Sequence, residues 1–370
     1  MEHGGNVLKI GKEIGVGPHE IVDFSANINP FQIPDELMQV ITQAQKNVSI
    51  YPDPEYYELR KALANYSSTE IERIVPGNGA AQIIHDVIKL INPEKTMLPV
   101  PTFSEYEAAL KVTGSNVVHF KMEITNNFEL NVGELIKHID ESFDLLVLCN
   151  PNNPTGNLIM KKEMEQILEK CQKVGCKVIV DEAFIEFVAA SERFTMASEA
   201  ERWNNLIVIR AFTKIFAIPG IRLGYGVHGC LALSNNHRKY AVPWSVNVFA
   251  ESLKDYINSV EASVYIKKIS ETIKLEKEIM EERIKKMEAF TVFPSHANFL
   301  LIRLIDHEKY NVERVCSWLL KRRILIRNCN NFNGMPSRFF RVAVKKKEEN
   351  DQLIDSLLYI NNSILNNKQC

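Results

Sequence analysis

No apolar run in this chain approaches the roughly 20 residues that a membrane-spanning helix requires, so no segment reads as such a helix. Charge of neither sign dominates. Against 44 Lys and Arg stand 46 Asp and Glu, a formal net charge of −2, which offers no electrostatic reason to expect nucleic acid or an anionic membrane as partner. The first residues, Met1-Glu-His-Gly-Gly-Asn-Val-Leu-Lys9, lack the apolar centre of a secretory signal, and a cytoplasmic location is expected. Cysteine occurs seven times without a repeated spacing. Cys171 and Cys176 share a segment, yet no second Cys or His pair accompanies them at zinc-site spacing, so neither a disulfide framework nor a bound metal is expected. Cys149, inside an apolar run, reads as a small core residue. Internal repeats and low-complexity stretches are missing too.

With 45% hydrophobic and 24% charged residues, the composition is that of an ordinary globular protein, and 370 residues suit one large and one smaller domain. From about residue 75 to 230, short apolar runs alternate with helical periodicity. Ile83, Ile84, Val87, Ile88 and Ile91 recur at helical spacing after Gly77-Asn-Gly79. Met97–Val100 and Asn116–Phe120 read as strands on either side of a helix at Ser104–Val112. Leu145–Cys149, Val178–Val180 and Leu206–Ile209 are continuous apolar strands, with a helix marked by Met160, Met164, Ile167, Leu168 and Cys171 between the first two. Such alternation predicts an α/β fold with a mostly parallel sheet covered on both faces, which binds ligands at the carboxyl ends of its strands.

After Pro243 the texture changes to a long, charged, helix-compatible stretch over 247–290. Short strand candidates follow at Phe290–Phe293, Asn298–Arg303, Ile324–Ile326 and Phe339–Val344. We expect an amino-terminal arm over 1–40 with little periodicity, packed on a small domain. A large domain is expected over 41–245, and the small α+β domain itself over 246–370.

Several strand ends carry chemistry. Lys214 lies beyond Leu206–Ile209, beside Thr213 and eight residues before Arg222. Most lysines are solvated surface charges, but one at a strand end beside a hydroxyl and a guanidinium can hold a phosphorylated aldehyde as a Schiff base. Asp181 directly follows Val178–Val180 and suits either a helix cap or a partner for a protonated ring nitrogen. Asn150-Pro-Asn-Asn-Pro-Thr-Gly156 enforces a turn after its strand. Gly77-Asn-Gly-Ala-Ala-Gln82 opens a helix whose first N–H groups can cradle a phosphate. Phe103, in Pro101-Thr-Phe-Ser-Glu-Tyr106, is either a core residue or a stacking surface for a flat ring.

Taken in order, these segments, with Arg222-Leu-Gly224, resemble the fold-type I pyridoxal-phosphate enzymes, and within them the histidinol-phosphate aminotransferase branch of class I and II. The likeness covers nearly the whole chain. It implies a large domain with a mostly parallel, seven-stranded-type sheet sandwiched by helices, a smaller α+β domain, and pyridoxal phosphate as cofactor. By resemblance, Lys214 forms the Schiff base and later shuttles protons. Asp181 binds the pyridine nitrogen, Asn153 the ring hydroxyl, and Phe103 stacks on the ring. The N–H groups of Gly79, Ala80 and Ala81 hold the cofactor phosphate, with Thr213 and Arg222. Tyr51, in Tyr51-Pro-Asp53, matches a tyrosine that reaches this phosphate from the partner subunit, implying a homodimer with a shared active site. The chain departs from the branch at Ala211, where serine or threonine is usual, and at Ala80-Ala-Gln82, where a more polar stretch is usual.

Further segments are similar to a sub-branch, the threonine-phosphate decarboxylases of cobalamin biosynthesis. They are His3-Gly-Gly-Asn6, Asp23-Phe-Ser-Ala-Asn-Ile-Asn-Pro30, Pro243-Trp-Ser-Val-Asn247 and Arg338-Phe-Phe-Arg-Val-Ala343. Phe184 fits as well, since aminotransferases of the branch usually carry tyrosine there. The likeness implies a small phosphorylated amino acid as substrate, with Arg341 on its carboxylate and Arg327 on its phosphate, helped by His3, Ala26 and Asn27. Serine phosphate is a second candidate substrate. The alternative reaction is transamination, as in histidinol-phosphate aminotransferase. A non-enzymatic pyridoxal-phosphate-binding regulator is disfavoured, because residues 1–40 offer no basic helix-turn-helix pattern.

Overall fold

The computed structural model describes residues 4–305 and 310–366. Its strands, in chain order, are β1 (Val22–Asp23), β2 (Ile74–Asn78), β3 (Lys95–Val100), β4 (Asn116–Lys121), β5 (Leu145–Cys149), β6 (Lys177–Asp181), β7 (Leu206–Ala211), β8 (Leu223–His228), β9 (Phe290–Val292), β10 (Phe299–Leu304), β11 (Ile324–Leu325), β12 (Arg327–Asn328) and β13 (Phe339–Ala343). Seven of them form one sheet in the order β2-β8-β7-β6-β5-β3-β4. The pairs from β4 to β7 are parallel, whereas β8 runs antiparallel to both β7 and β2.

The continuous apolar runs become wholly buried central strands, β5, β7 and β8 being buried along their length. Successive side chains alternate between two cores, as the pleat demands. Leu145, Val147, Ile179 and Ile207 join Ile83, Val87 and Tyr106 on one face, while Leu146, Leu148, Val178 and Val208 pack into the larger core on the other. The parallel register places Cys149 opposite Asp181 and Asp181 opposite Ile209, so the carboxyl ends of β5, β6 and β7 lie level.

A second sheet, β12-β13-β10-β9, is antiparallel and follows the 26-residue helix Val260–Lys285, which Arg283 ties to Asp351 and Asp355 of the terminal helix Lys347–Asn366. The amino-terminal residues hold more regular structure than their weak periodicity suggests. Helices span Val7–Ile14 and Asp35–Ala44, and β1 pairs in parallel with β11 through Val22↔Ile324. Glycine and proline at Gly15, Gly17, Pro18, Pro30 and Pro34 cut this region into pieces too short to show a period. Among the described residues no helix is long and apolar enough to cross a membrane.

Candidate active site

The turn after β5 is built largely from its own asparagines. Asn150 Oδ1 accepts from Ile159 N at 2.7 Å, and Asn152 donates to Pro101 O at 3.0 Å and to Thr155 Oγ1 at 2.9 Å. With those two side chains committed to the backbone fold, Asn153 is left facing a cavity, where its Oδ1 accepts from Arg341 Nη1. Asp181 ends β6. Its Oδ1 accepts from Ala183 N at 2.9 Å, a local cap, and its Oδ2 accepts from the Tyr106 hydroxyl at 2.7 Å. Burial raises the Asp181 carboxyl above its ordinary range, against the pull of these two donors and of Lys214. The same burial drives the Tyr106 hydroxyl well above its usual value, with the Asp181 charge adding to it, so the phenol remains a donor.

Lys214 follows β7. Burial, then the nearby charges of Arg222 and Arg341, lower its ammonium to about 8, so a free amine is accessible near neutral pH. Its loop is held from the amino-terminal region, because Asn29 N donates to Lys214 O at 3.1 Å and Asn29 Nδ2 to Ile215 O at 2.6 Å.

Gly79 starts the helix Gly79–Ile91 with φ +78, and a Cβ built on it would lie 2.3 Å from Arg222 Nη2. The left-handed backbone favours glycine, and any side chain here would displace the Arg222 guanidinium. The guanidinium is thereby pressed against the N–H groups of the helix start, two sources of positive potential in one place.

Ala80, Ala81, Phe103, Asn153, Asp181, Thr213, Lys214, Arg222, Ala26, Asn27, Arg327 and Arg341 all line one cavity of about 230 Å³. Gly79 lies just behind its wall, against Arg222. Phe103 packs edge-on to Tyr106 with centroids 5.6 Å apart. Among the described residues of the lining, Asp181 is the single carboxylate, with the four cations Lys214, Arg222, Arg327 and Arg341. The site is therefore strongly positive and suited to ligands with several negative charges.

Arg327 and Arg341 sharpen this. They are direct partners in the antiparallel β12–β13 ladder, and both are buried, at 8% and 5% exposure. Like charges facing each other across a ladder are unfavourable, and Arg327 donates to Asn328 O at 2.7 Å and to Asn331 Oδ1 at 2.8 Å. Arg341 donates to Asn153 Oδ1 and to Ser25 O, the latter at 2.7 Å, while its Nε is buried without a partner among the described residues. Burial lowers its guanidinium to about 10. Asn27 Oδ1 is likewise buried and unpartnered. Unsatisfied buried polar atoms on a cavity wall mark where a ligand completes the bonding.

One expected residue lies elsewhere. Tyr51 is 78% exposed and packs on Trp244 at 4.8 Å, away from the cavity of its own chain. His3 lies outside the described residues. Conversely, Tyr106, Ser25 and Gly4 line the cavity without having stood out in the sequence. Tyr106 sits three residues after Phe103, in the first turn of the helix that Phe103 precedes, a proximity that could have revealed it.

The sequence pattern of the aminotransferase class I and II family matches residues 19–357. The chain belongs to this family. A relative from Caldanaerobacter subterraneus is 37% identical over 96% of this chain and 93% of its own length. The threonine-phosphate decarboxylase of Salmonella typhimurium is 32% identical, covering 96% of this chain and 95% of the relative. The crystal structure of the histidinol-phosphate aminotransferase from Clostridium acetobutylicum superposes with a TM-score of 0.84 at 35% identity, covering 92% of this chain and 99% of that one. The fold is the fold-type I transferase fold, and pyridoxal phosphate is the cofactor. The residues present fit that molecule: an anion cradle at a helix start closed by Arg222, a buried carboxylate at a strand end, and an amine lowered to about 8 open onto one cavity.

Proposed function

We propose that the chain decarboxylates L-threonine O-3-phosphate, releasing carbon dioxide and (R)-1-amino-2-propanol O-2-phosphate. The observation that carries this is the buried, directly opposed pair Arg327 and Arg341, over and above the Arg222 cradle. One phosphate site serves the cofactor, and two further guanidiniums call for a substrate with two anionic ends. The relatedness to a threonine-phosphate decarboxylase supports the same choice.

In this reading Gly79, Ala80 and Ala81 offer backbone N–H groups to the cofactor phosphate, with Thr213 and Arg222. Asn153 meets the ring hydroxyl, Phe103 covers a ring face, and Asp181 keeps the ring nitrogen protonated. Bound pyridoxal phosphate supplies an electron-poor ring able to accept the electron pair left at Cα. Arg341 takes the substrate carboxylate and sets the direction of its bond to Cα. Arg327 takes the substrate phosphate with Asn27, the Ala26 backbone and His3. The Cα–carboxylate bond breaks, carbon dioxide leaves, and Lys214 delivers the proton that replaces it. A homodimer completes the site, with Tyr51 of each chain reaching the cofactor phosphate of the other. The outward placement of Tyr51 beside the half-exposed Trp244, among exposed Val48 and Ile50, supports this.

The test is purified protein with threonine phosphate, followed for carbon dioxide and, with added 2-oxoglutarate, for glutamate. Carbon dioxide without glutamate is expected. Glutamate alone would establish transamination, the reading that the likeness to a histidinol-phosphate aminotransferase favours. Serine phosphate run in parallel decides whether the substrate methyl group matters.

A further inference from the structure

Asp23, Ser25 and Gly5 form a short polar chain against the substrate side of the cavity. The Ser25 hydroxyl donates to Asp23 Oδ1 at 2.5 Å, and the Ser25 N–H donates to the same oxygen at 2.8 Å. The backbone N–H of Gly5 donates to Ser25 Oγ at 2.8 Å. A carboxylate only accepts, so Asp23 fixes the direction of the hydroxyl proton and leaves the Ser25 oxygen as an acceptor for Gly5. On its other side, the Ser25 carbonyl accepts from Arg341 Nη2 at 2.7 Å. Ser25 therefore touches both the amino-terminal segment and the buried arginine.

The fit leaves no slack. A Cβ on Gly4 would lie 2.1 Å from Ser25 O, so the segment lies directly against the carbonyl that Arg341 uses. Gly4 and Ser25 both line the cavity. The helix Val7–Ile14 follows at once, with Leu8 exposed and little burial along its length. This segment has few apolar anchors of its own, and elements so held open locally at small cost.

We propose that Ser25 is a positioning residue that latches the amino-terminal segment 4–14, with Gly4 at the cavity wall, and ties that latch to Arg341. A substrate anion drawn to Arg341 then meets a wall already closed by Gly4, which excludes water and strengthens the charge pairing. Loss of the latch weakens substrate binding and leaves the cofactor in place, because the bonds that either change removes lie between Gly5, Ser25 and Asp23, while Arg341 keeps its own contact with Asn153. The substrate arm of the test rests on the function proposed above; the exchange arm does not.

The experiment compares wild-type holoenzyme with Ser25→Ala and Gly4→Ala. The first removes the acceptor of the Gly5 N–H; the second pushes the segment off the Ser25 carbonyl without altering Ser25, Asp23 or Arg341. Amide hydrogen exchange without substrate is expected to accelerate about tenfold over residues 5–14 in both variants, the loss of one hydrogen bond. KM for threonine phosphate is expected to rise about tenfold, with kcat changed less than threefold and cofactor affinity unchanged. Unchanged exchange over 5–14 in both variants would overturn the latch, and so would a fall in kcat at constant KM. Should Ser25→Ala fail to fold, Gly4→Ala carries both readouts. If wild-type protein does not act on threonine phosphate at all, the proposed function falls while the exchange comparison still decides the latch.

Discussion

The hydroxyl of Tyr106 holds Asp181 Oδ2 at 2.7 Å on the buried face of the sheet, one side chain from the helix after β3 and the other from the end of β6. Without that donor, burial acts on the carboxylate less opposed. Tyr106→Phe is therefore expected to raise the Asp181 pKa further and weaken pyridoxal-phosphate binding about tenfold, one lost charge-assisted hydrogen bond. Cofactor titration by fluorescence checks this, and equal affinity in the two proteins would count against the role of Asp181.

Lys214 supplies a pH test. Its folded pKa of about 8 means that the neutral amine dominates above that pH and the ammonium below it. The rate at which apoprotein captures pyridoxal phosphate is expected to climb through pH 8 and level off above it. In Lys214→Ala, borohydride reduction followed by intact-mass measurement should show no added cofactor mass.

Gly79→Ala puts a methyl group against Arg222 and a side chain on a left-handed backbone. The backbone alone costs about 1–2 kcal/mol. A drop of at least tenfold in cofactor affinity is expected, with circular dichroism unchanged.

Arg327→Met removes one of two opposed buried cations. Relief of the like-charge pairing is offset by loss of the Arg327 hydrogen bonds to Asn328 O at 2.7 Å and Asn331 Oδ1 at 2.8 Å, so the folded protein without substrate is expected to lose about 1–2 kcal/mol of stability. KM for threonine phosphate should rise about 100-fold, the order of a lost buried charge contact. Thermal denaturation and steady-state kinetics on the same preparation test both halves.

Glu182, next to Asp181 but facing the other way, gives a pH signature of stability. It is fully buried, accepts from Met196 N at 2.7 Å and Thr195 Oγ1 at 2.6 Å, and lies 3.9 Å from Arg210. Burial pushes its carboxyl up to about 7 against the pull of Arg210. The folded state thus keeps a proton that the unfolded chain releases above its ordinary value near 4.5. Its contribution is most favourable at low pH, declines as pH rises from about 4.5 to 7, and is level above. In Glu182→Gln that decline should vanish, as urea denaturation across pH 5 to 8 would reveal.

Much of this was legible along the chain. Apolar runs such as Leu145–Cys149 and Leu206–Ile209 announced buried parallel strands, and the polar residues just past them announced the ligand side of the sheet. Lys214 and Asp181 stood out that way, because each sits within a few residues of the strand that carries it, whereas Asn153 was singled out by the family resemblance; all three line the cavity. The helices Val7–Ile14 and Asp35–Ala44 were not, since short pieces between glycines and prolines show no period.

What the sequence determined by itself was local: which strands are buried, where they end, and which chemistry stands at those ends. Only the tertiary structure decided the relations between distant segments. The antiparallel ladder set Arg327 opposite Arg341, chain reversal brought Ser25 onto Arg341, and packing of the helix after β3 on the sheet brought Tyr106 onto Asp181. Strand register and layer packing are properties of pairs of segments, so no single stretch of sequence carries them.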